Sequence, residues 1–180
     1  MDKSIIIAGF GGQGVLSLGQ IIAYGAIHSK KEVSWLPSYG PEMRGGTSNC
    51  SVVISEKPIA SPVISSPDCL IAMNTPSLYK FLDSVKKGGL LLVNQSIISD
   101  TVGRDDVDII YVDTASIAEQ AGNLKTANIV MLGVLVGKTD IFSKETIEKV
   151  ISEVFASKPK VIPCNIAAFN RGYEIGKNNR

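Results

Sequence analysis

Residues 4–29, SIIIAGFGGQGVLSLGQIIAYGAIHS, decide the fold. The short apolar run from Ser4 to Ala8 ends in glycines, which predicts a buried β-strand. Between Gly14 and Ser29, apolar residues recur at helical spacing, at Val15, Leu18, Ile21, Ile22 and Ala26. A buried strand, a glycine-rich turn and a helix in this order are typical of an α/β fold.

The rest of the chain repeats this alternation of short apolar strands and helices. Further strands are predicted at residues 32–36, 48–55, 68–73, 90–94 and 108–112. Helices are predicted at residues 76–87 with Thr75 as N-cap, 114–120, 126–138, 144–155 with Ser143 as N-cap, and 163–176. The pattern predicts a three-layer αβα sandwich with a mostly parallel, Rossmann-like sheet. Residues 32–55 read as a hairpin, which would add antiparallel strands.

Length and composition indicate one domain, residues 1–176, followed by a polar tail at residues 177–180 that is expected to fray. Hydrophobic residues make up 44% of the chain and the net charge is +1, which indicates neither disorder nor a nucleic-acid-binding surface. The longest apolar runs, such as residues 129–136, are far shorter than the roughly 20 residues of a membrane helix. The apolar run after Lys3 is too short for a signal peptide, so we expect a cytoplasmic protein.

The chain has three cysteines, Cys50, Cys69 and Cys164, and a single histidine, His28. The cysteines lie far apart in the sequence and form no C-x-x-C pair. A zinc site or an iron–sulfur cluster built by this chain alone would lack ligands. We therefore expect buried, reduced thiols and no metal site.

The first glycine-rich loop, GFGGQG at residues 9–14, has the spacing of a phosphate-binding turn between a strand and a helix. An NAD site would also need a carboxylate at the end of the second strand, and residues 33–37, VSWLP, contain none. Two interpretations stay open: a different phosphorylated cofactor, or a tight turn without a ligand. The candidate cofactor-binding residues are Gly9, Gly11, Gly12, Gln13 and Gly14, of which Gln13 has the only polar side chain.

The second loop, PSYGPEMRGGT at residues 37–47, combines prolines and glycines with side chains that can reach outward. Arg44 precedes two glycines, so its guanidinium has little steric cover and suits a phosphate or a carboxylate. A surface salt bridge between Glu42 and Arg44 is the alternative interpretation. The candidate binding residues here are Tyr39, Glu42, Arg44, Gly45, Gly46 and Thr47.

Four segments resemble the gamma subunit of 2-oxoacid:ferredoxin oxidoreductases, in order and over almost the whole chain. They are GFGGQG at 9–14, PSYGPEMRGGTSN at 37–49, TANIVMLG at 126–133 and AFNRGYE at 168–174. The two glycine-rich motifs together are specific, and the other two support them. The form EMRGGT at residues 42–47 is most similar to the 2-oxoglutarate branch.

The resemblance implies an enzyme that decarboxylates a 2-oxoacid on thiamine diphosphate, passes electrons through iron–sulfur clusters to ferredoxin, and transfers the acyl group to coenzyme A. This chain has no G-D-G thiamine motif and only three cysteines. Thiamine and clusters are thus expected on alpha and beta partner subunits, with a ferredoxin-like delta subunit as a further candidate.

The role implied for this subunit is to help bind coenzyme A and close the thiamine site, with no catalytic residue of its own. The alternatives are a structural scaffold without ligand contact, a free-standing nucleotide-binding protein, or the same role in a pyruvate or branched-chain 2-oxoacid enzyme.

Overall fold

A computed structural model describes residues 2–39 and 47–180, without the side chain of Tyr39. Six strands form one sheet in the order β2-β3-β1-β4-β5-β6. Their bounds are β1 Lys3–Phe10, β2 Glu32–Tyr39, β3 Thr47–Ser55, β4 Cys69–Ala72, β5 Leu90–Asn94 and β6 Asp108–Val112. Strands β1, β4, β5 and β6 pair in parallel, whereas β3 is antiparallel to both β1 and β2. The predicted mostly parallel sheet with an added hairpin is confirmed.

Six helices follow the predicted order. They are α1 Val15–His28, α2 Thr75–Phe81, α3 Thr114–Gln120, α4 Ala127–Thr139, α5 Lys144–Val154 and α6 Ile162–Asn178. A short 3₁₀ turn at Leu82–Ser84 extends α2. Two others, at Leu124–Thr126 and Pro159–Val161, precede α4 and α6. Ser143 caps α5 as predicted, because its side chain accepts a hydrogen bond from the Thr146 amide.

Several predicted element ends differ from the structure. The predicted end of β2 is Leu36, before Pro37, but the strand continues through Pro37, which pairs with Cys50, to Tyr39. The cap of α2 is Asn74 and not Thr75, because Asn74 is extended and its side chain accepts from the Ser77 amide. The helix ends at Phe81, before the predicted Lys87. Helix α6 continues through Asn178, and Arg180 Nε donates to Gly137 O at 2.6 Å. This hydrogen bond links the exposed tail to the end of α4, and the fraying of the tail stays a prediction.

Both faces of the sheet are buried, which explains why its central strands are apolar at successive positions. In β1, Ile5 and Ile7 pack on one face, under α1, α4, α5 and α6. Ile6 and Ala8 pack on the other face, under α2 and the loops around Ile98. The helices therefore form a thick layer on one side of the sheet and a thin layer on the other.

Helices α4 and α6 approach each other closely through glycines. Gly133 and Gly137 lie one turn apart on α4, and Gly172 and Gly176 lie one turn apart on α6. A Cβ added at any of these four positions would lie 2.1 or 2.2 Å from a backbone oxygen of the facing helix. The contact is therefore between backbones, and it leaves no room for a side chain on either helix.

The cysteines are free thiols. Cys50 and Cys69 are buried, as predicted, whereas Cys164 is half-buried at the start of α6. Burial raises the pKa of Cys50 to about 11 and raises the pKa of Cys69 further. Within residues 2–39 and 47–180, no group of three His, Cys, Asp or Glu side chains could hold a metal ion. No helix in this part of the chain is long and apolar enough to cross a membrane.

Candidate functional site

The carboxyl ends of β1, β4, β5 and β6 meet at one edge of the sheet, where a cleft of about 870 Å³ opens. The chain leaves β1 toward β2 and β3 on one side, while β4 lies on the other side of β1. Ligands of open α/β sheets bind at such a switch point, outside the carboxyl ends of the strands. One wall of the cleft is the loop after β1, and the other comes from residues 123–128 and 155–165.

The loop after β1 turns through two left-handed glycines, Gly12 at φ 95° and Gly14 at φ 73°. The first backbone bond of α1 runs from the Leu18 amide to Gly14 O at 2.9 Å. The amides of Val15, Leu16 and Ser17 have no carbonyl partner among the residues described. Donors of this kind at a helix N-terminus favour an anion.

The five candidate residues of this loop divide into two groups. Gly12, Gln13 and Gly14 line the cleft, whereas Gly9 is buried inside β1 and Gly11 is exposed in the turn. A Cβ at Gly9 would lie 2.7 Å from Gln13 Oε1 and 2.8 Å from Met73 Cβ. Gly9 therefore serves close packing between the loop and β4.

Gln13 closes its own loop. Its Oε1 accepts from the Phe10 amide at 2.7 Å and from Asn74 Nδ2 at 3.3 Å, and its Nε2 donates to Met73 O at 3.2 Å. Both ends of the side chain are thus engaged within the protein. Gln13 positions the loop relative to the end of β4.

The same hydrogen-bond chain continues along the cleft floor to β5 and β6. Asn94 Nδ2 donates to Met73 O at 3.2 Å, and Asn94 Oδ1 accepts from Thr114 Oγ1 at 2.7 Å. Asn94 and Thr114 are 2% and 1% exposed. Side chains therefore tie together the ends of the four parallel strands. Sequence reasoning missed both residues, although a polar residue ending an apolar strand is a usable signal for Asn94.

Asn128, at the start of α4, holds the other side of the loop. Its Nδ2 donates to Gly14 O at 3.1 Å, and its side chain is almost fully buried. A Cβ at Gly14 would lie 2.4 Å from that same nitrogen. Gly14 is thus required both by its backbone conformation and by the approach of Asn128.

The cleft is electropositive. Lys125 and Lys158 line it, and no aspartate or glutamate is among its described lining residues. Asp113, the N-cap of α3, precedes the lining residues Thr114 and Ala115, and its carboxylate accepts hydrogen bonds from Ser116 and Ser96. Those hydrogen bonds lower the pKa of Asp113 and so favour its ionised form. The arrangement suits an anionic ligand with an apolar part.

The second glycine-rich loop emerges at the same edge. Thr47, its last residue, begins β3 and pairs with Phe10, and Tyr39 ends the backbone of β2 beside Ser48. Glu42, Arg44, Gly45 and Gly46 lie outside the described residues. The two loops therefore start and end on neighbouring strands, and Thr47 is exposed there.

Comparison with known proteins gives a consistent result. The family model for pyruvate ferredoxin/flavodoxin oxidoreductase matches residues 4–175. The ketoisovalerate oxidoreductase subunit VorA of Methanothermobacter thermautotrophicus is 42% identical over 180 residues, which cover 99% of this chain and 37% of that protein. This chain thus spans about a third of that relative's length.

Two further proteins match almost the whole of this chain. The 2-oxoglutarate synthase subunit KorC of Methanocaldococcus jannaschii is 40% identical over 181 residues, which cover 98% of this chain and 95% of that subunit. The fold matches 2-oxoglutarate:ferredoxin oxidoreductase from Magnetococcus marinus, solved with 2-oxoglutarate, coenzyme A and succinyl-CoA bound, at a TM-score of 0.90 and 24% identity. That match covers 98% of this chain and 31% of the solved chain.

Proposed function

This chain belongs to the pyruvate ferredoxin/flavodoxin oxidoreductase family, and from that premise we propose that it is the gamma subunit of a multi-subunit 2-oxoacid:ferredoxin oxidoreductase. In this proposal it helps bind coenzyme A and closes over a thiamine diphosphate site contributed by partner subunits. The observation that carries the proposal is the cleft at the carboxyl edge of the sheet, lined by the glycine loop and by lysines without carboxylates.

Coenzyme A matches the chemistry of this cleft. Its pyrophosphate suits the amides at the start of α1, where Val15, Leu16 and Ser17 have no carbonyl partner among the residues described. A volume of about 870 Å³ is in the range of pockets for ligands of this size. The similar chain from Magnetococcus marinus was solved with coenzyme A bound, which supports the same ligand class here.

The sheet order argues against an NAD site. In a dinucleotide-binding fold, the strand after the first helix lies beside β1, and a carboxylate at its end reaches the ribose. Here β3 lies between β1 and β2, and the end of β2 contains no carboxylate. The glycine loop is thus better suited to a ligand without that ribose contact.

An iron–sulfur cluster does not fit the described residues of this chain, and its sequence has no G-D-G thiamine motif. Cys50 and Cys69 are buried thiols, and burial raises the pKa of each. No described group of three His, Cys, Asp or Glu side chains could ligate a metal. We therefore propose that alpha and beta partner subunits bind both cofactors, with a ferredoxin-like delta subunit as a further candidate.

We propose 2-oxoglutarate as the acid, because residues 42–47 resemble that branch. Relatives of this chain are named for ketoisovalerate as well as for 2-oxoglutarate. The test is to supply the assembled complex with 2-oxoglutarate, ketoisovalerate and pyruvate in turn. The highest kcat/KM on ketoisovalerate or pyruvate would overturn the choice of acid and leave the subunit role intact.

The isolated chain is expected to be folded but catalytically silent, because it has no thiamine motif and too few cysteines for a cluster. Purified alone, it should neither decarboxylate 2-oxoglutarate nor reduce a viologen dye. The same assays on the complex assembled with partner subunits serve as the positive control. Turnover by a preparation free of other subunits would contradict the proposed division of labour.

Arg44 is predicted to contact an anionic ligand, coenzyme A or the thiamine-bound intermediate, in the assembled complex. Losing one charge-assisted hydrogen bond costs about 1.5–3 kcal/mol, or very roughly 10–150-fold in the affected step. Arg44→Gln should therefore raise the KM for coenzyme A or lower turnover. Arg44→Lys should recover only part, because lysine keeps the charge and loses the planar fork.

The control for Arg44→Gln is assembly, measured by size-exclusion chromatography of the reconstituted complex. Normal assembly with unchanged KM and kcat would make Arg44 a salt-bridge partner of Glu42. Failure to assemble would instead favour the scaffold role for this loop.

A further inference from the structure

The cleft is larger than a pyrophosphate needs. The glycine loop occupies one end, and the wall beyond it consists of apolar side chains and lysines from two other elements. Leu124 on this wall is 60% exposed, and Phe155 belongs to the same wall; Ile97, which follows β5, is 53% exposed elsewhere in the cleft lining. Exposed apolar side chains in a cleft suit a flat, apolar ligand group such as a purine ring.

The two lysines of this wall carry charges that no described carboxylate neutralises. Lys86 and Lys138 are paired with Asp68 and Asp108. The ammonium groups of Lys125 and Lys158 make no ion pair or hydrogen bond with any residue of the described ranges, and both line the cleft. Lys125 belongs to the 3₁₀ turn before α4, and Lys158 precedes the 3₁₀ turn before α6. Two positive charges therefore line the same cleft, although their elements lie more than thirty residues apart in the sequence.

A pair of lysines matches a phosphate monoester better than a diester. A monoester carries about 1.5 to 2 negative charges at pH 7, whereas each phosphate of a pyrophosphate diester carries one. Lysine binds phosphate as a point charge, so two lysines can share one dianionic group without a fixed geometry. The amides at the start of α1 remain available for the pyrophosphate.

We infer that Lys125 and Lys158 hold the phosphate monoester of a 3′-phosphorylated adenine nucleotide, whose pyrophosphate lies on the glycine loop. This assignment rests on the proposed coenzyme A function. It orients the ligand in the cleft: pyrophosphate at Gly12–Gly14, adenine against Leu124 and Phe155, and the ribose phosphate at the lysines. The cleft then discriminates coenzyme A from 3′-dephospho-coenzyme A.

The test measures binding of both ligands to the assembled complex by isothermal titration calorimetry. Wild type should bind coenzyme A at least about 10-fold more tightly than dephospho-coenzyme A, the worth of one charge-assisted contact. Lys125→Gln and Lys158→Gln should each remove part of this ratio, and the double variant should bring it close to one. The affinity for dephospho-coenzyme A should stay the same in all variants.

Lys57→Gln is the matched control, because Lys57 is exposed after β3, at the opposite edge of the sheet. It should change neither affinity. A wild-type complex that binds neither ligand would refute the proposed function itself. Binding of both ligands with equal affinity, or a double variant that weakens both equally or neither, would overturn the lysine assignment while leaving the coenzyme A role in place.

Discussion

Replacing Gly172 by alanine is expected to destabilise the folded chain by about 3 kcal/mol, the upper end of the range for overpacked cores. A Cβ at position 172 would lie 2.1 Å from Val130 O and 3.1 Å from Val134 N. These are backbone atoms of α4, which cannot retreat without displacing the helix from the sheet. For a domain of this size the loss corresponds to roughly 6–12 °C in Tm, measured by thermal denaturation.

Gly25→Ala is the matched control, because Gly25 is also a buried glycine within a helix. Its added Cβ would meet Ile147 Cδ1 at 2.8 Å, the terminal atom of a flexible side chain. Alanine also gains about 0.8–1 kcal/mol of helix propensity over glycine, which offsets that contact. We expect a Tm close to wild type. Equal Tm values for the two variants would mean that α4 and α6 do not approach through their backbones.

Replacing Gly14 by valine is expected to destabilise the chain by about 3 kcal/mol and to raise the KM for coenzyme A in the assembled complex. The left-handed backbone at φ 73° costs a residue with a Cβ about 1–2 kcal/mol. The added Cβ would also lie 2.4 Å from Asn128 Nδ2, which binds the Gly14 carbonyl. Displacing Asn128 releases the loop at the place where it meets α4.

Substitutions at two other glycines distinguish the cost of backbone strain from the cost of the clash with Asn128. Gly12→Val introduces backbone strain at φ 95° with no described atom within 4 Å of the new Cβ, so we expect about 1–2 kcal/mol. Gly103→Val, in open space without a left-handed backbone, should stay within about 0.5 kcal/mol. Thermal denaturation ranks the three valine variants by Tm, and the activity of each assembled complex is measured in parallel. Equal shifts and equal activity would exclude a tight functional turn.

The order of strands and helices follows from local patterns. The strands at residues 90–94 and 108–112 and the helix at residues 114–120 have the predicted bounds, because apolar periodicity and turn residues lie next to each other in the chain. The end of α2 differs by several residues, since Asn74 and the 3₁₀ turn at Leu82–Ser84 depend on neighbours that periodicity does not report. Periodicity alone also could not reveal that β3 lies between β1 and β2.

The candidate site was also predictable only in part from local sequence patterns. Local sequence patterns are enough to predict the glycine turn after β1, the lack of an NAD-type carboxylate, and too few cysteines for a cluster. Only the tertiary structure decided that Gln13 closes its own loop, that Asn128 holds Gly14, and that Lys125 and Lys158 line the same cleft. The contact between Asn128 and Gly14 joins residues 114 positions apart. The physical reason is that backbone propensity acts over a few residues, whereas the meeting of distant side chains depends on sheet order and helix packing.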